Sequence, residues 1–540
     1  MRCHTPFFVA FLAALSPAAV QVGAQCLELN GIVSGGGEGL LDLDEMLISL
    51  EAEPFDLSNP IIPSVAECSS QLETTISMRA LLGIDATVFS IASMFHPKVT
   101  ALDVFGDKNT SDARRRCQPE ADEDSTLFDL HLRVAVIYAF VYSGYLFMPY
   151  CQDTIETLME ERNHSFSLIM GNETTIDTPW GLARAYVDEV FEFMMKNDGW
   201  NADGSASREV NRVPFSDYEI TDSAGNSWTP FAPQNSPYKI TAKNHWQALS
   251  ESDDLGYTSI QRHVTPHIGA TARLFGFNST DDEATFAART IGNPQYEYKS
   301  MVKALIEETA TTATDNFKLA SISFFDNKFT SLIPLKIAFF TRQETTGLTA
   351  QDFYRLTFEV QLAMYNGLIL TWKEKIRWNM PRPPTVAAVR LGDDMVEAYA
   401  GSEDGVRVIK ASEWEPFIRT MPHAEYPSAS SCLCWLYAEQ LWSYLGNDII
   451  DPPLEYGTDD YTYEFSSWSE IGDICGESRV WGGLHFNAAI SAGVELCGDF
   501  LAADSISATL GRLLDGDETA AVFDRNVGEL MVREVHHRQM

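Results

Sequence analysis

The chain has 540 residues, of which 45% are hydrophobic and 21% are charged. This balance is typical of a soluble globular protein with room for one large domain or two to three ordinary ones. The 76 acidic and 38 basic residues give a formal net charge of −38, which argues against nucleic acid or an anionic membrane surface as a partner. Any anion site in this chain must therefore be local.

The N-terminus, residues 1–24, predicts a secretory signal peptide. A short N-terminal region with one arginine precedes the apolar stretch Phe7 to Leu15, and Val22-Gly23-Ala24 supplies the small residues expected before a cleavage site. We expect a secreted mature chain that begins near Gln25. The alternative is a short N-terminal anchor, but the apolar run is too short to cross a bilayer comfortably.

Helical periodicity dominates the rest of the chain, and it predicts an all-α fold. Segments rich in Ala, Leu, Met and aromatic residues at helical spacing are Thr75–His96, Leu127–Tyr150, Thr178–Lys196, Tyr298–Thr312, Ala350–Asn379, Cys432–Leu445 and Phe486–Leu501. The polar stretch Asn197–Lys243 predicts a long structured excursion. Val134–Tyr150 is apolar, but its short length before Pro149 favours a buried bundle helix, and we expect no stable membrane insertion. We find no strong strand alternation and no internal repeat.

Two histidines, His263 and His267, are spaced like zinc ligands on a helix. Pro266 lies between them and no third ligand is near in sequence, so structural or pocket-lining histidines are the favoured interpretation. Cys432 and Cys434 are also too close and too isolated for a zinc ribbon, which favours packing or a disulfide.

The cysteines and glycosylation triplets agree with export. Without Cys3 the cysteines form an even set that could pair in an oxidising compartment, although the pairing cannot be read from the sequence: Cys26, Cys68, Cys117, Cys151, Cys432, Cys434, Cys475 and Cys497. Acceptor triplets for N-glycosylation begin at Asn109, Asn163, Asn172 and Asn278.

Two blocks carry residues suited to an oxyanion. In the first, Lys375-Ile-Arg-Trp-Asn-Met-Pro-Arg382-Pro383, the two cations are nearly two helical turns apart, so they can project from one face before the prolines stop the helix. In the second, Tyr-Pro-Ser428-Ala429-Ser430-Ser-Cys, a serine precedes a helical run, so its hydroxyl and the following amides can face an anion.

A third block, Ser478-Arg479-Val-Trp-Gly-Gly483-Leu-His485, completes the set. Glycines permit a close backbone approach, Arg479 offers a guanidinium fork for an oxyanion, and His485 offers a neutral ring nitrogen as nucleophile or ligand. Each block alone has an ordinary explanation as a solvated surface. Their order along the chain makes the combination specific.

The three blocks resemble the motifs of the vanadium-dependent haloperoxidases and of their relatives in the type-2 phosphatidic acid phosphatase superfamily. Those motifs are Lys-x6-Arg-Pro, Pro-Ser-Gly-His and Ser-Arg-x5-His. Trp372 and the phrases Asn244-His-Trp-Gln247 and Thr265-Pro-His-Ile-Gly269 are similar to the haloperoxidase branch. The resemblance covers about residues 180–510. It implies a core of two four-helix bundles and a division into residues 1–24, an N-terminal helical region at 25–180, and a haloperoxidase-like domain at 181–540.

The resemblance also implies a vanadate cofactor and a role for each matching residue. Lys375, Arg382 and Arg479 would hold the equatorial oxygens, Ser428 and the amide of Ala429 would add hydrogen bonds, and His485 would ligate vanadium. In the family, bound peroxide transfers oxygen to a halide. The implied partners are hydrogen peroxide, a halide and a small organic acceptor, and a homodimer would be common for the family.

Two departures from the family pattern concern proton handling. Ser430 stands where the second motif has a histidine, and a hydroxyl does not titrate near neutrality as general acid–base catalysis requires. His423 lies seven residues earlier, where algal bromoperoxidases carry an additional histidine, so it could line the pocket and supply a proton group. Ala489 stands where phosphatases of the superfamily have an aspartate that orients the last histidine, so another acceptor must orient His485.

These observations predict a secreted haloperoxidase-like enzyme that favours bromide or iodide and has reduced or altered activity. The first alternative is a secreted acid phosphatase of the same superfamily, in which His485 would form a phosphohistidine. The second alternative is a homologue that binds an oxyanion without catalysis.

Overall fold

The protein is represented by a computed structural model, which describes residues 74–94, 126–161, 170, 179–197, 220–221, 227–228, 231–252, 257–266, 268, 274–275, 287–340, 342, 348, 350–457 and 461–498. Several predictions lie outside the described residues: the signal peptide, the four glycosylation triplets, His267, Cys26, Cys68 and Cys117.

Helices form most of the described chain, and the predicted all-α class is confirmed. They are α1 Thr74–Met94, α2 Thr126–Phe147, α3 Gln152–Glu161, α4 Pro179–Asn197, α5 Tyr298–Thr312, α6 Asn316–Phe324, α7 Lys328–Phe340, α8 Ala350–Trp378, α9 Pro383–Arg390, α10 Ala429–Leu445, α11 Trp468–Trp481 and α12 Asn487–Cys497. Every helix predicted from the sequence is present, with ends that differ by a few residues. Five were not predicted, namely α3, α6, α7, α9 and α11.

Short antiparallel hairpins join some of the helices, and the sequence did not predict them. The strands pair as β1 Ile220–Thr221 with β2 Ser227–Trp228, β3 Ser250–Ser252 with β4 Thr258–Ile260, β5 Met395–Tyr399 with β6 Val406–Lys410, and β7 Ile449–Gly457 with β8 Thr462–Ser467. Among the strands whose side chains are described, β8 shows a clear alternation, with Tyr463 and Phe465 buried between exposed neighbours. Strands this short give little period-two signal.

The core is arranged around helix α8. This helix packs against α1 on one side and against α10 on the other, and α10 in turn packs against α11 and α12. At Gly367 on α8 an added Cβ would collide with Leu436 of α10, so glycine allows the two helices to approach closely. Helices from both sides of residue 180 share one hydrophobic core. The domain boundary predicted at that residue stays a prediction.

Among the described residues, the stretch Thr74–Ser93 of α1 is long and apolar enough to cross a membrane. In the protein, 89% of its most apolar window is buried against other helices. This burial is what a core helix of a globular protein shows.

Two disulfides connect the last three helices. Cys432 near the start of α10 is bonded to Cys497 at the end of α12, and Cys434 is bonded to Cys475 of α11. The preference for packing or a disulfide over a zinc ribbon at Cys432 and Cys434 is therefore confirmed. Both bonds lie in the part of the chain that carries the second and third blocks.

Candidate functional site

The first block lies at the junction of α8 and α9. Lys375 is in the last turn of α8, the backbone of Asn379 takes a positive φ of 47°, and Arg382 is the N-cap of α9 with Pro383 as its first residue. Proline suits this position because it has no amide hydrogen to satisfy and its φ is already helical. Both cationic side chains point inward, and each is fully buried.

Lys375 anchors the segment that precedes the second block. Its Nζ donates hydrogen bonds to the carbonyl oxygens of Ala424 at 2.7 Å, Glu425 at 3.0 Å and Pro427 at 2.6 Å. An ammonium group has three donors, and these carbonyls use all of them. Lys375 therefore contributes its charge to the pocket while its hydrogen bonds organise the backbone of residues 424–427.

The second block forms the start of α10, as predicted. Ser428 is the N-cap, and its Oγ accepts a hydrogen bond from the amide of Ser431 at 3.3 Å. Ala429 is the first helical residue, so its amide is among those that have no acceptor within the helix. Ser430 is partly exposed, and its hydroxyl contacts no hydrogen-bond partner among the described residues.

The third block forms the end of α11 and a tight turn. The amides of Leu484 and His485 both donate to the carbonyl of Arg479, at 2.9 and 3.2 Å, so the chain folds back on itself. Gly483 has a φ of 80°, and an added Cβ would lie 3.0 Å from Trp414, so only glycine fits there. The turn brings His485 beside Arg479.

Arg382 connects the first block to two histidines. Its Nη1 lies 3.2 Å from Nε2 of His485, and its Nη2 lies 3.0 Å from Nδ1 of His423. A guanidinium group only donates hydrogen bonds, so each ring nitrogen acts as an acceptor toward it; in His423 this contact is shorter than the 3.3 Å separation of Nδ1 from the carbonyl of Ala424. His485 and His423 are both held as neutral imidazoles, and burial together with the neighbouring cation Arg382 keeps the pKa of each well below its usual range.

Glu425, which the motifs did not identify, contacts His485 at its other ring nitrogen, Nδ1. Its Oε1 accepts hydrogen bonds from Nδ1 of His485 at 3.1 Å and from the amide of Phe486 at 3.0 Å. Its Oε2 accepts from the hydroxyl of Tyr296 at 3.0 Å. Burial raises the pKa of Glu425 to about 7, against the opposing effects of the Phe486 amide, Arg382 and Lys375.

Lys328 is a second residue that the sequence analysis missed. It is the first residue of α7, it is buried, and its Nζ donates to the carbonyl of Asp326 at 3.3 Å. Burial, and then the charge of Arg479, place the pKa of Lys328 well below its usual range. The side chain of Asp326 in turn forms an ion pair with Arg479 at 3.3 Å.

The pocket has more buried positive charge than negative charge. Its buried basic side chains are Lys328, Lys375, Arg382 and Arg479; of its two acidic side chains, Glu425 is buried and Asp326 is 40% exposed. Burial lowers the pKa of all four cations, including that of Arg382 to about 10. Buried charge is costly unless it is paired. An oxyanion would supply the missing negative charge, so the positive charge of the site fits vanadate or phosphate.

Aromatic rings form one wall beside His423. The ring of Trp372 lies 4.7 Å from that of His423, and Trp372 Nε1 donates to the carbonyl of Val264 at 3.0 Å. His263 lies 6.4 Å from His423 and is 4% exposed. The amide of Ala424 donates to Nε2 of His263 at 3.2 Å, so this histidine is a structural acceptor. The described part of the chain contains no group of His, Cys, Asp and Glu side chains able to hold a metal cation.

The structure brings the predicted residues together. Arg382 forms hydrogen bonds with the rings of His423 and His485. Backbone hydrogen bonds join His485 to Arg479, and Lys375 donates to the carbonyl of Pro427, the residue before Ser428. Ala489 supplies only a carbonyl, which accepts from the amide of Ser428 at 2.9 Å. The hydrogen-bond acceptor beside His485 is instead Glu425, whose only signal in the sequence is its position just before Tyr-Pro-Ser.

A family model described as the VCPO second helical-bundle domain matches residues 355–512. That range contains all eight residues predicted for the site, and it also contains Glu425. Lys328 lies before it. No curated protein matches the chain significantly by sequence.

Solved structures with a similar fold are vanadium-dependent enzymes from bacteria. A holo-type chloroperoxidase is 21% identical, with a TM-score of 0.67 over 82% of this chain and 93% of that chain. The apo-type chloroperoxidase gives 21% identity and a TM-score of 0.66 over 83% and 95%. An iodoperoxidase gives 15% identity and a TM-score of 0.52 over 87% and 98%. The chain therefore has the fold of the vanadium-dependent haloperoxidases, and its residues 355–512 match the model of the second helical-bundle domain.

Proposed function

We propose that this protein is a secreted vanadium-dependent haloperoxidase-like enzyme that oxidises a halide, with bromide or iodide favoured over chloride, by means of hydrogen peroxide. The observation that carries the proposal is the pairing of Arg382 with His485. The electron pair of a neutral ring nitrogen points at a buried guanidinium group 3.2 Å away and accepts a hydrogen bond from it, so an oxyanion would replace that hydrogen bond when it binds. One oxyanion placed there could meet a ligand atom and a cation at the same time.

Each residue has a role that follows from its contacts. His485 would hold the metal through Nε2, Arg382 and Arg479 would hold oxygens through their guanidinium donors, and Lys375 would add charge. Ser428 and the amide of Ala429 would donate to the same group at the start of α10. When bound, vanadate would supply an electrophilic centre that activates peroxide without a change in the oxidation state of the metal.

Proton transfer is the weakest part of the site. Ser430 does not titrate near neutral pH, and His423 already accepts a hydrogen bond from Arg382. His423 can therefore act as a donor through Nε2, but the contact with Arg382 opposes its acting as a base at Nδ1. We expect slow turnover with retained oxyanion binding, because general acid–base catalysis contributes about 10²- to 10⁴-fold in rate.

An acid phosphatase is the second candidate, and the contact between His485 and Glu425 favours it. A histidine backed by a carboxylate could attack the phosphorus of a phosphomonoester through the same Nε2 atom, forming a phosphohistidine as the P–O ester bond breaks and the alcohol leaves. The third candidate is an oxyanion-binding homologue without catalysis. A homodimer is a further part of the proposal, and for the haloperoxidase so is a small organic acceptor for the oxidised halide.

The three candidates are separated by two assays on the purified mature chain. Bromide and iodide oxidation would be measured with peroxide, with and without added vanadate, and hydrolysis of a phosphomonoester would be measured in parallel. Vanadate-dependent halide oxidation that is lost in His485→Ala supports the haloperoxidase. Phosphate release that vanadate inhibits supports the phosphatase. Binding of phosphate or vanadate with neither activity supports the third candidate.

A further inference from the structure

We infer that Glu425 is the positioning residue of His485: it fixes the imidazole as the tautomer whose Nε2 electron pair faces the oxyanion pocket. This inference rests on the proposed function only in taking His485 as the residue that binds the oxyanion. The orienting acceptor comes from the segment before the second block, whereas superfamily phosphatases place it four residues after the histidine, where this chain has Ala489.

The contacts of Glu425 fix the proton on His485. Oε1 of Glu425 accepts from the amide of Phe486 at 3.0 Å, and an amide can only donate. Oε2 accepts from the hydroxyl of Tyr296, so both oxygens act as acceptors, which is the pattern of an ionised carboxylate that has no proton to donate. Since Nδ1 of His485 lies 3.1 Å from the same Oε1, Nδ1 must be the nitrogen that carries hydrogen.

The other side of the ring leads to the same assignment. Nη1 of Arg382 donates toward Nε2 of His485 at 3.2 Å, so Nε2 must hold an electron pair. His485 thus lies between two partners with fixed roles. Oε1 of Glu425 accepts at Nδ1, and Nη1 of Arg382 donates to Nε2. The hydrogen-bond partner of one imidazole nitrogen determines the chemistry of the other nitrogen.

Glu425 is itself held in place from several directions. Its own amide donates to the carbonyl of Met380 at 3.0 Å, its carbonyl accepts from Lys375, and its Oε2 accepts from Tyr296. The side chain is fully buried. A carboxyl group fixed by its backbone and by both oxygens can hold a ring in one orientation.

The test compares Glu425→Ala, Glu425→Gln and wild type by two measurements that need no turnover. The affinity for orthovanadate and for inorganic phosphate would be measured by calorimetry. The tautomer of His485 would be measured by ¹⁵N NMR of the unliganded protein with labelled histidine, and the signal would be assigned by its loss in His485→Gln.

We expect Glu425→Ala to lower oxyanion affinity by about 10- to 100-fold, which is the usual cost of removing the outer partner of a ligating histidine. It should also mix the two tautomers in the NMR spectrum. Glu425→Gln keeps an oxygen that can accept from Phe486 and from Nδ1, so it should preserve the tautomer and most of the affinity.

The matched control is Glu374→Ala. Glu374 is also a fully buried glutamate, and it accepts from the amide of Ile291 and from Trp378 without touching His485. It should leave the His485 tautomer and the affinity near wild type. An unchanged tautomer in Glu425→Ala, or equal losses in both alanine variants, would overturn the inference. A wild type that shows the Nδ1–H tautomer but binds neither anion would overturn the proposed function and leave the positioning role standing.

Discussion

Nη1 of Arg382 and Nε2 of His485 are 3.2 Å apart although the two residues are separated by 103 positions in the chain. The contact depends on the start of α9, which directs Arg382 inward, and on the Gly482-Gly483 turn, which directs His485 back along α11. Substitutions that disturb either element should therefore affect oxyanion binding before they affect the rest of the core.

The first prediction concerns Lys328. Its replacement by methionine removes one of the four buried cations of the pocket while keeping an apolar stem of similar length. We expect Lys328→Met to weaken the binding of orthovanadate about tenfold, which corresponds to about 1.4 kcal/mol. Isothermal titration calorimetry would measure the affinity.

Lys336→Met is the matched control for that measurement. Lys336 is also buried and lies on α7, but its electrostatic partner is Asp85 of α1. This change should lower the free energy of unfolding, because it leaves Asp85 without its cation, and should spare the affinity. If both variants bind orthovanadate as wild type does, Lys328 makes no contribution to the anion site.

The second prediction concerns the packing of α12 on the start of α10. A Cβ at Gly493 would collide with the hydroxyl of Ser431 and the carbonyl of Ser428. We expect Gly493→Ala to lower the free energy of unfolding by about 1–3 kcal/mol, as over-packing usually does. It should also weaken oxyanion binding, because Ser428 must move. Urea unfolding and calorimetry would measure the two effects.

Gly472→Ala provides the comparison for Gly493→Ala. At Gly472 on α11 the nearest atoms to an added Cβ are 3.4 Å away, which is an ordinary contact. Alanine is favoured over glycine in a helix by about 1 kcal/mol. Gly472→Ala should therefore be neutral or stabilising and should bind oxyanions normally. Similar destabilisation at both positions would contradict the packing argument.

The third prediction returns to Ser430. Its hydroxyl has no hydrogen-bond partner in the described structure and is partly exposed, so an imidazole could be accommodated. We expect Ser430→His to raise the rate of peroxide-dependent bromide oxidation, by up to about 10²-fold, because it restores a group that titrates near neutral pH. Vanadium content should stay near wild type. Steady-state bromination as a function of pH would measure the gain.

Ser430→Ala is the control, and it should behave as wild type if the hydroxyl does not act in catalysis. A Ser430→His protein that folds, binds vanadium and shows no gain would mean that the missing histidine does not limit the reaction.

The fourth prediction concerns pH and His263. Burial lowers the pKa of His263 to about 3, whereas an exposed histidine titrates near 6.5. As pH falls below about 6.5, His263 is protonated in the unfolded chain but stays neutral in the folded protein. The free energy of unfolding therefore decreases. Between pH 7 and pH 5 this group should cost about 2 kcal/mol. Urea unfolding of wild type and His263→Gln at both pH values would measure it.

The glutamine can still accept from the amide of Ala424, but it cannot take up a proton. The loss of stability between pH 7 and pH 5 should therefore be about 2 kcal/mol smaller in His263→Gln than in wild type. The part of the loss that comes from His423 and His485 should remain. Identical pH dependence in the two proteins would show that His263 is protonated in the folded state.

The sequence was sufficient to predict the residues whose spacing is local. Lys375 and Arg382 lie within two helical turns, and Arg479 and His485 lie on either side of a glycine turn, so short-range geometry identifies each pair. Glu425 could not be assigned in this way, because its role depends on a contact with a residue 60 positions later. Lys328 follows Asp326 in a segment without any motif.

Helices with a regular local pattern could be predicted, whereas one helix with an internal proline and one with two glycines could not. Helix α8 is long and amphipathic enough to be recognised from its periodicity. Helix α7 contains Pro334, which argues against a helix in a sequence analysis. Helix α11 contains Gly472 and Gly476, and glycine inside a helix weakens the helical signal of the sequence. Tertiary packing decided these cases, and the local sequence gave the opposite signal.

The two disulfides have a consequence for the chain when it is unfolded. The bond from Cys432 to Cys497 spans 65 positions and encloses the whole stretch that leads to Arg479 and His485. In the oxidised chain the second and third blocks cannot diffuse apart, so each remains at a high effective concentration near the other. Their encounter is thus restricted to a short range even before any helix forms, which would favour recovery of the pocket after transient unfolding.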